Sequence, residues 1–438
     1  MTATLDAPLP RAVAGPEMEA APAPSSLASV RVPLMLIGLV VVGAWLRVAG
    51  LGSSRLAYDE SFTAMAGRLS LGHLFTYLSQ HDSHPPLDYL LRLPLARAGV
   101  SEFWFRLPSV ICSVAALALF AWWMRRWGRI GILATALMAI SSFEILHGRQ
   151  ARMYAETELF GVVIAMIALA WIVRPRRRLS IALGMVVFLA MMTHVSIFLL
   201  VPGLLLLAGR RTDVEAWWWR GAIVAAGAVW AALWGPAFLV QSRGGHSSWI
   251  PSTTFHTLST AVARLVTTVP GFEWVTVAAI VVGGVLVVRR SKPLGTLWLA
   301  GFALPIALAA LAGLFEPVVL DRTFTLFAWA PILAVAFAFD AVIRRSVAVG
   351  AVVAVIAAMA LVPSAIATAD ATSGPNSPLR ALERRVRPGD VVAVIPRSKA
   401  PELAWTLGVR HRSSFARVRV PGMQNAFGFQ YRGDDPTG

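Results

Sequence analysis

Apolar residues in this chain are concentrated in long runs, which short polar or basic links interrupt. A helix needs about 20 apolar residues to cross the hydrocarbon core of a bilayer, and somewhat fewer where helices are short. This pattern predicts an all-α polytopic membrane protein with about eleven transmembrane helices. The predicted spans are Pro33–Leu51, Leu107–Met124, Ile130–His147, Thr157–Val173, Leu179–Thr193, Val195–Gly209, Gly221–Gln241, Trp274–Val288, Leu294–Leu314, Thr325–Ile343 and Ser346–Thr368.

The regions outside the spans define the expected domain organisation. Residues 1–31 are rich in Ala, Pro and Ser, which predicts a disordered cytosolic tail. Residues 32–369 form the expected transmembrane domain, and its first external loop, over 52–106, is too long to be a simple connector. Residues 370–438 are more polar and predict a small extracytoplasmic α/β domain.

Turn and strand signals support the prediction for the C-terminal region. Arg387-Pro388-Gly389-Asp390 is typical of a turn, and Val391–Ile395 is a short strand-like run. A helix-like segment, Pro401–Leu407, follows.

The composition agrees with a membrane protein. Hydrophobic residues make up 57% of the 438 residues and charged residues only 14%, whereas ordinary soluble domains carry about 25% charged residues. Such a chain has too few charges to cover a surface in water, which excludes a cytosolic enzyme and a disordered scaffold. With one cysteine, Cys112, there is no disulfide framework and no thiolate metal cluster.

The basic residues predict the orientation. Alternate short links between spans are dense in arginine, and basic links favour the cytoplasmic side. The N-terminus is then cytoplasmic and the C-terminus extracytoplasmic, in the plasma membrane of a bacterium. A nucleic-acid-binding surface would gather its arginines on one soluble face, whereas these lie in the links between spans. The net charge of +16 therefore does not indicate nucleic-acid binding. The links are Arg125–Arg129, Arg174–Arg178, Arg210-Arg211 with Arg220, Arg289–Lys292 and Arg344-Arg345.

The remaining ionisable residues gather on the opposite side. All eight histidines and eleven of the fourteen acidic residues between Arg31 and Ala369 fall on predicted external loops or the outer ends of spans. A transporter is expected to place some of this polarity near the bilayer midplane. The distribution therefore favours chemistry at the outer membrane surface. A transporter or flippase of a lipid-linked anion stays as the alternative.

An acidic pair, Asp59-Glu60, directly follows the first span. Adjacent side chains point in different directions, so one could act as a general base while the other orients it or the substrate. An equally weighted alternative is a capping cluster for a helix over Ser61–Leu69, because acidic residues favour a helix start.

The same loop contains His81, Asp82 and His84, followed by two prolines that open a helix through Leu95. These side chains could bind a metal ion, but their spacing matches no strong zinc pattern. A polar turn is the favoured interpretation.

Arginines on predicted external segments need an explanation other than topology, because the positive-inside bias favours basic residues on the cytoplasmic side. Arg149 and Arg152 would share one face if their segment is helical, and Arg322 lies before the tenth span. A guanidinium suits a phosphate at headgroup level, and ion pairs with Glu156 or Asp59 are the alternative. His194 interrupts the fifth and sixth spans, where satisfying buried carbonyls is its simplest role.

These segments, in this order, resemble the GT-C class of membrane glycosyltransferases, in particular the family 39-like polyprenyl-phosphate-sugar transferases. The resemblance covers nearly everything from Pro33 onward. The residues that carry it are Arg55…Asp59-Glu60, His84-Pro85-Pro86-Leu87, Phe105-Arg106-Leu107-Pro108, Arg149…Arg152-Met153-Tyr154, Asp321-Arg322 and Arg387-Pro388-Gly389-Asp390-Val391-Val392.

The resemblance implies a specific activity. A sugar, most plausibly mannose, would pass with inversion from a polyprenyl-phosphate donor to an external glycan, glycolipid or protein acceptor. Asp59 would be the general base, with Glu60 positioning it or the sugar. No metal or other cofactor would be required. Arg149, Arg152 and Arg322 would hold the donor phosphate, and the cleft would be lined by Arg55, His84, Tyr154 and His194. Where some relatives have Thr-Lys, this chain has Thr193-His194.

Overall fold

The computed structural model describes residues 26–209, 211–243, 250–371, 385–387, 390–394, 405, 415–418 and 427–431. Residues 1–25 of the predicted tail lie outside these ranges. The first helix begins at Ser26, before the predicted boundary at residue 31.

Helices dominate the described part of the chain. The first nine are α1 (Ser26–Val48), α2 (Tyr58–Ala66), α3 (Leu71–His81), α4 (Leu87–Ala98), α5 (Glu102–Met124), α6 (Arg129–Ile140), α7 (Ser142–Arg149), α8 (Tyr154–Val173) and α9 (Arg177–Met191). The others are α10 (Ile197–Leu207), α11 (Val214–Arg243), α12 (Phe255–Arg264), α13 (Glu273–Arg290), α14 (Lys292–Trp298), α15 (Leu304–Ala312), α16 (Trp329–Arg345) and α17 (Val347–Ala371). Arg125–Trp127 and Asp321–Phe327 are 3₁₀ helices, and Leu299–Ala303 is a π-helical turn that joins α14 to α15.

Each of the eleven predicted spans falls on helical structure. Within the described ranges, six helical segments are long and apolar enough to cross a membrane, and two bent pairs raise that number to eight. The bent pairs are α6 with α7, at 51°, and the Asp321–Phe327 helix with α16, at 75°. The other three predicted spans correspond to α9, α10 and α13, which are short or carry charged ends. The chain is a multi-pass membrane protein, and eleven crossings stays a prediction.

The outer surfaces of the long helices are apolar, as contact with lipid requires. Leu233 on α11, Val281 on α13 and Met359 on α17 are each more than half exposed. In water, such surfaces would form large apolar patches of the kind that soluble monomers rarely carry. These faces are therefore the surfaces that meet the hydrocarbon core.

The first external loop folds into three helices, α2, α3 and α4. Leu74 and Leu78 on α3 are completely buried in the main apolar core. The helix after the two prolines runs to Ala98 rather than stopping at Leu95, because Gly99 ends it in the left-handed conformation (φ 62°). The loop is thus a packed part of the transmembrane domain.

Buried ion pairs tie this loop to the spans. Arg92 on α4 contacts Asp88 at 2.7 Å and Glu156 on α8 at 2.8 Å. Arg92 also donates to the carbonyl oxygen of Phe105 on α5, at 2.8 Å. Because the Arg92 guanidinium is buried, removing one partner would leave an unbalanced charge, so these contacts strongly fix α4 against α5 and α8.

The 3₁₀ helix over Asp321–Phe327 packs directly on α8. A Cβ atom at Gly161 would overlap the carbonyl oxygen of Leu326, so glycine allows the two backbones to touch. This close approach brings Arg322 over the N-terminal end of α8.

The described part of the C-terminal region contains a three-stranded antiparallel sheet in the order β1-β3-β2, with β1 (Val391–Val394), β2 (Phe415–Val418) and β3 (Phe427–Tyr431). At the ends of the predicted turn, the Asp390 N–H donates to the Arg387 carbonyl at 3.0 Å, and residues 388–389 lie outside the described ranges. Of the predicted helix over Pro401–Leu407, only Trp405 is described. Its buried ring lies 5.4 Å from that of Phe105 and under the guanidinium of Arg68. Trp405 therefore packs against the first external loop and the start of α5.

Candidate active site

Polar side chains from five separate segments meet at the N-terminal end of α8. They come from the start of α2, the turn between α3 and α4, the α7–α8 link, the α9–α10 link and the Asp321–Phe327 helix. No two of these segments are adjacent in sequence. The helices between them create the site by bringing these segments together at one end of the helix bundle.

Asp59 lies in the first turn of α2 and faces the open part of this cluster. Its side chain is 45% exposed, and Oδ2 lies 3.4 Å from Nη1 of Arg322, whose own side chain is 30% exposed. On its buried side, Asp59 accepts a hydrogen bond at its backbone carbonyl from Nη1 of Arg152, at 3.4 Å. The carboxylate thus stands beside two guanidinium groups and still reaches solvent.

Glu60 has a different environment although it is the next residue. It is buried and accepts four hydrogen bonds: from Arg106 Nε and Nη2, at 2.8 and 2.7 Å, and from the N–H groups of Ala57 and Ala151, each at 2.8 Å. Burial raises the pKa of Glu60, but the Arg106 charge and these hydrogen bonds outweigh burial and hold its pKa below the usual value. Glu60 therefore caps α2 and connects it to α5 and the α7–α8 link, which fixes the direction of Asp59.

Arg152 is buried directly beneath Asp59. Its Nη1 donates to the Thr63 hydroxyl at 2.9 Å and to the Tyr89 hydroxyl at 3.1 Å. The Tyr89 hydroxyl in turn donates to Asp82. These contacts hold a positive charge at the floor of the cluster, where a bound anion would gain most from it.

Asp82 and His84 form a second pair on the rim. His84 Nδ1 donates to Asp82 Oδ1 at 2.9 Å, and the Ser83 N–H donates to the same oxygen at 2.7 Å. Burial raises the pKa of Asp82, but the neighbouring His84, Arg152 and Tyr89 outweigh burial and hold it well below its usual range. Because Asp82 occupies Nδ1 of His84, Nε2 is the ring nitrogen left for another partner.

His194 lies against this rim, with its ring 5.3 Å from that of His84 and 6.2 Å from that of Tyr154. The Ser196 N–H donates to His194 Nδ1 at 3.1 Å, which leaves the proton on Nε2 in the neutral ring. Burial and the adjacent His84, Arg152 and Arg322 hold the pKa of His194 well below its usual value. The ring is therefore a neutral hydrogen-bond donor.

Arg149 is not brought into the cluster, which corrects the prediction that it shares a face with Arg152. α7 ends at Arg149 and Gln150 is extended, so the helical spacing of three residues does not apply. The Arg149 guanidinium donates to the carbonyls of Leu46, Arg47 and Ala49, between 2.7 and 3.2 Å, and so caps the C-terminal end of α1.

Arg55 also has a structural environment. It is buried, and its Nη1 pairs with Glu102 at 2.8 Å at the start of α5. This ion pair gives Arg55 a role in holding the loop before α2 to α5, and its place in the cleft stays a prediction.

The favoured interpretation of the His81–His84 segment as a polar turn is consistent with these contacts. Asp82 serves as an acceptor for His84, Ser83 and Tyr89. Across the described ranges, no group of three or more His, Cys, Asp or Glu side chains is placed to hold a metal ion. That no metal is required stays a prediction.

Comparisons with known proteins bear on the fold. No protein-family model matches the chain, and no curated protein sequence matches it. Among solved structures, ArnT from Cupriavidus metallidurans in the apo state is similar at a TM-score of 0.53 and 15% identity, over 88% of this chain and 75% of ArnT. The structure of the same enzyme bound to undecaprenyl phosphate is similar at a TM-score of 0.53 and 15% identity, over 87% of this chain and 75% of ArnT. The chain has the GT-C fold.

The oligosaccharyltransferase of Archaeoglobus fulgidus is also similar, at a TM-score of 0.49 and 13% identity, over 89% of this chain and 59% of that one. The similarity to ArnT, at 15% identity, defines the GT-C fold and not the sugar, the acceptor or the residues that act on them. The expectation of a GT-C enzyme of the family 39-like mannosyltransferase type stays a prediction.

Within the GT-C fold, the partners that organise the site were not predicted from the sequence. They are Tyr89 and Thr63, which contact Arg152, and Arg106, which pairs with Glu60. An external arginine in an otherwise apolar span, as at Arg106, was a usable signal, because a buried charge needs a partner. Tyr89 carried no such signal.

Proposed function

We propose that this chain is a glycosyltransferase that moves a sugar, mannose in the first instance, from a polyprenyl-phosphate donor to an acceptor outside the cytoplasm. The observation that supports the proposal is the difference in solvent exposure between the Asp59–Arg322 pair and the other charged groups nearby. Asp59 and Arg322 are paired but accessible, whereas the guanidinium and carboxylate groups of Glu60, Arg106 and Arg152 are buried in fixed contacts.

Asp59 is the general base in this reaction. Its carboxylate accepts the proton of the acceptor hydroxyl as that oxygen attacks the anomeric carbon of the sugar. A new carbon–oxygen glycosidic bond forms on one face, and the bond between the anomeric carbon and the phosphate oxygen breaks on the other. The bonding electrons leave with polyprenyl phosphate, so the configuration inverts and charge develops on the phosphate.

Arg322 and Arg152 stabilise that charge. The Arg322 guanidinium lies at the mouth of the cluster beside Asp59, and Arg152 lies at its floor. Fixed cations stabilise the leaving phosphate most in the transition state, where its negative charge is greatest. Two guanidinium groups suffice for a monophosphate, so the proposed reaction uses no metal ion.

Three aromatic rings line the cleft in this proposal. The Nε2 atoms of His84 and His194 and the hydroxyl of Tyr154 supply hydrogen-bonding groups for the sugar or the phosphate. Glu60 positions Asp59 through the four hydrogen bonds it accepts. Arg55 and Arg149 hold the surrounding loops, and neither is assigned a substrate.

The location of the site suits a lipid-linked donor. It lies at the ends of membrane-spanning helices, so the prenyl tail stays in the bilayer while the phosphate reaches Arg322. The predicted orientation places the reaction on the outer face of a bacterial plasma membrane, where a glycan, a glycolipid or a protein serves as the acceptor.

The test is a transfer assay on the purified full-length chain in liposomes. Radiolabelled polyprenyl-phosphate-mannose is the donor, and envelope material from a strain lacking this chain is the acceptor. Asp59→Asn keeps the shape of the side chain but removes the base, and we expect its rate to fall by about 10²- to 10⁴-fold. Glu316→Gln is the matched control, because Glu316 is an exposed acid outside the cluster, and its rate should equal that of the wild type.

Two outcomes contradict the proposal. Equal transfer by Asp59→Asn and the wild type would remove Asp59 as the base. Movement of labelled lipid across the bilayer with no glycosylated product, and with equal movement by Asp59→Asn, would indicate a flippase instead.

A further inference from the structure

A cavity lined by arginines and apolar side chains lies at the far end of the molecule from Asp59. It has a volume of about 600 Å³ and is formed between the C-terminal ends of α5 and α8 and the start of α9. α8 begins at Tyr154 in the candidate active site and contains 20 residues, so its other end is about 30 Å away. The cavity is therefore separate from the site of the proposed transfer reaction.

Five arginines from two links converge on this cavity. They are Arg125, Arg126, Arg174, Arg176 and Arg178. The positive-inside bias accounts for arginines in these links, but it does not require that both links direct them to one cavity. The result is a local concentration of positive charge that includes no acidic lining residue.

These arginines lack the carboxylate partners that other arginines at the same end possess. Arg129, Arg290 and Arg344 all donate to the buried carboxylate of Asp340, between 2.7 and 2.9 Å. Within the described part of the chain, none of the five cavity arginines lies within 4.0 Å of a carboxylate oxygen. Within these ranges no carboxylate neutralises their guanidinium groups, so these groups can bind an added anion.

The remaining walls of the cavity are apolar and open toward the lipid. Trp122 and Val173 line it and are each more than half exposed on the membrane-facing surface. Arg125 stacks over the Trp122 ring at 4.7 Å, which fixes that guanidinium at the rim. A soluble anion would gain nothing from this apolar wall, whereas a lipid would place its headgroup among the arginines and its chains along the wall.

We infer that this cavity binds the phosphate-ester headgroup of an anionic membrane lipid. Basic pockets between transmembrane helices are suited to such headgroups, because guanidinium groups donate hydrogen bonds to phosphate oxygens in addition to attracting their charge. The inference is independent of the sugar transferred at Asp59.

The experiment measures lipid binding to the full-length chain in detergent by native mass spectrometry. The probes are dioctanoyl phosphatidylglycerol, dioctanoyl phosphatidylcholine and inorganic phosphate. We expect one saturable site for phosphatidylglycerol and much weaker binding of the other two. Removing one arginine from each link in Arg126→Gln/Arg176→Gln should weaken phosphatidylglycerol by about 30-fold, since each arginine near an anionic headgroup contributes about 1 kcal/mol.

Two further variants separate the site from general charge effects. Arg289→Gln/Arg345→Gln removes two exposed arginines from other links at the same end, and its affinity should stay within about 2-fold of the wild type. Ala170→Trp fills the cavity from its exposed lining position and keeps every arginine, and it should weaken binding as strongly as the arginine pair.

The inference is overturned if the control pair weakens binding as much as the cavity pair, since the effect would then be diffuse charge. Full affinity in Ala170→Trp would also overturn it. Inorganic phosphate binding as tightly as phosphatidylglycerol would refute the lipid as the source of the phosphate. Unchanged elution of each variant in size-exclusion chromatography shows that the compared proteins are folded.

Discussion

Loss of charge at the adjacent residues Asp59 and Glu60 should have different effects on the stability of the protein. Glu60→Gln replaces an oxygen that only accepts hydrogen bonds by an NH₂ group that faces N–H donors on both sides. Those donors are the guanidinium of Arg106 and the backbone N–H groups of Ala57 and Ala151. Asp59→Asn changes a half-exposed side chain with one ion pair at 3.4 Å.

The magnitudes follow from burial. Removing one partner of a buried ion pair leaves the other charge uncompensated, which costs about 3–5 kcal/mol. Arg106 keeps contacts to the carbonyls of Leu51, Ser54 and Arg55, at 2.9 to 3.0 Å, so we expect the lower part of this range. An exposed pair such as Asp59 with Arg322 contributes about 0–1 kcal/mol.

The measurement is thermal stability in detergent, followed by size-exclusion chromatography of heated samples. For a chain of 438 residues, a loss of about 3–5 kcal/mol corresponds to a fall in Tm of about 3–5 °C. Glu60→Gln should show this fall, whereas Asp59→Asn and the exposed control Glu316→Gln should stay within about 1 °C of the wild type. Transfer activity should be lost in both Asp59→Asn and Glu60→Gln, so stability is the measurement that separates them.

Two results would refute this reasoning. A wild-type Tm in Glu60→Gln would mean that the four hydrogen bonds do not hold the first external loop in place. A fall of equal size in Asp59→Asn would make Asp59 a structural residue, and its assignment as an accessible base would fail.

Two further predictions concern pH and Arg149. The pKa of Asp82 is lower in the folded protein than in the unfolded chain, so its contribution to stability is present above about pH 4 and is lost as the pH falls through its folded pKa. Tm should therefore fall as the pH drops below about 4 toward the lower folded pKa, with a smaller slope in Asp82→Asn, and an identical slope would contradict the assignment. Arg149→Gln should lower Tm by removing a cap from α1 while polyprenyl phosphate binds as in the wild type, whereas Arg322→Gln should weaken that binding with little change in Tm. If Arg149→Gln instead weakened lipid binding and left Tm unchanged, Arg149 would be assigned to the phosphate-binding site.

The sequence alone identified the features that depend on local composition. Apolar length predicted the helical segments, since crossing a bilayer depends on the number of consecutive apolar residues. Because charged residues are scarce near spans, Asp59, Arg152 and Arg322 could be selected as candidate site residues from the sequence. The turn at Arg387 and Asp390 and the strand from Val391 were also predictable, because both depend on neighbouring residues.

Tertiary structure decided which of these residues share a pocket. Arg149 and Arg152 have the same residue type, location and predicted side, yet one caps α1 and the other lies beneath Asp59, because α7 ends between them. Similarly, Asp59 and Glu60 are neighbouring acids, yet α2 directs one toward solvent and the other toward Arg106. Composition determines that a charge at the membrane surface needs a partner. The packing of distant helices selects that partner, because the contacts join residues up to 263 positions apart in sequence.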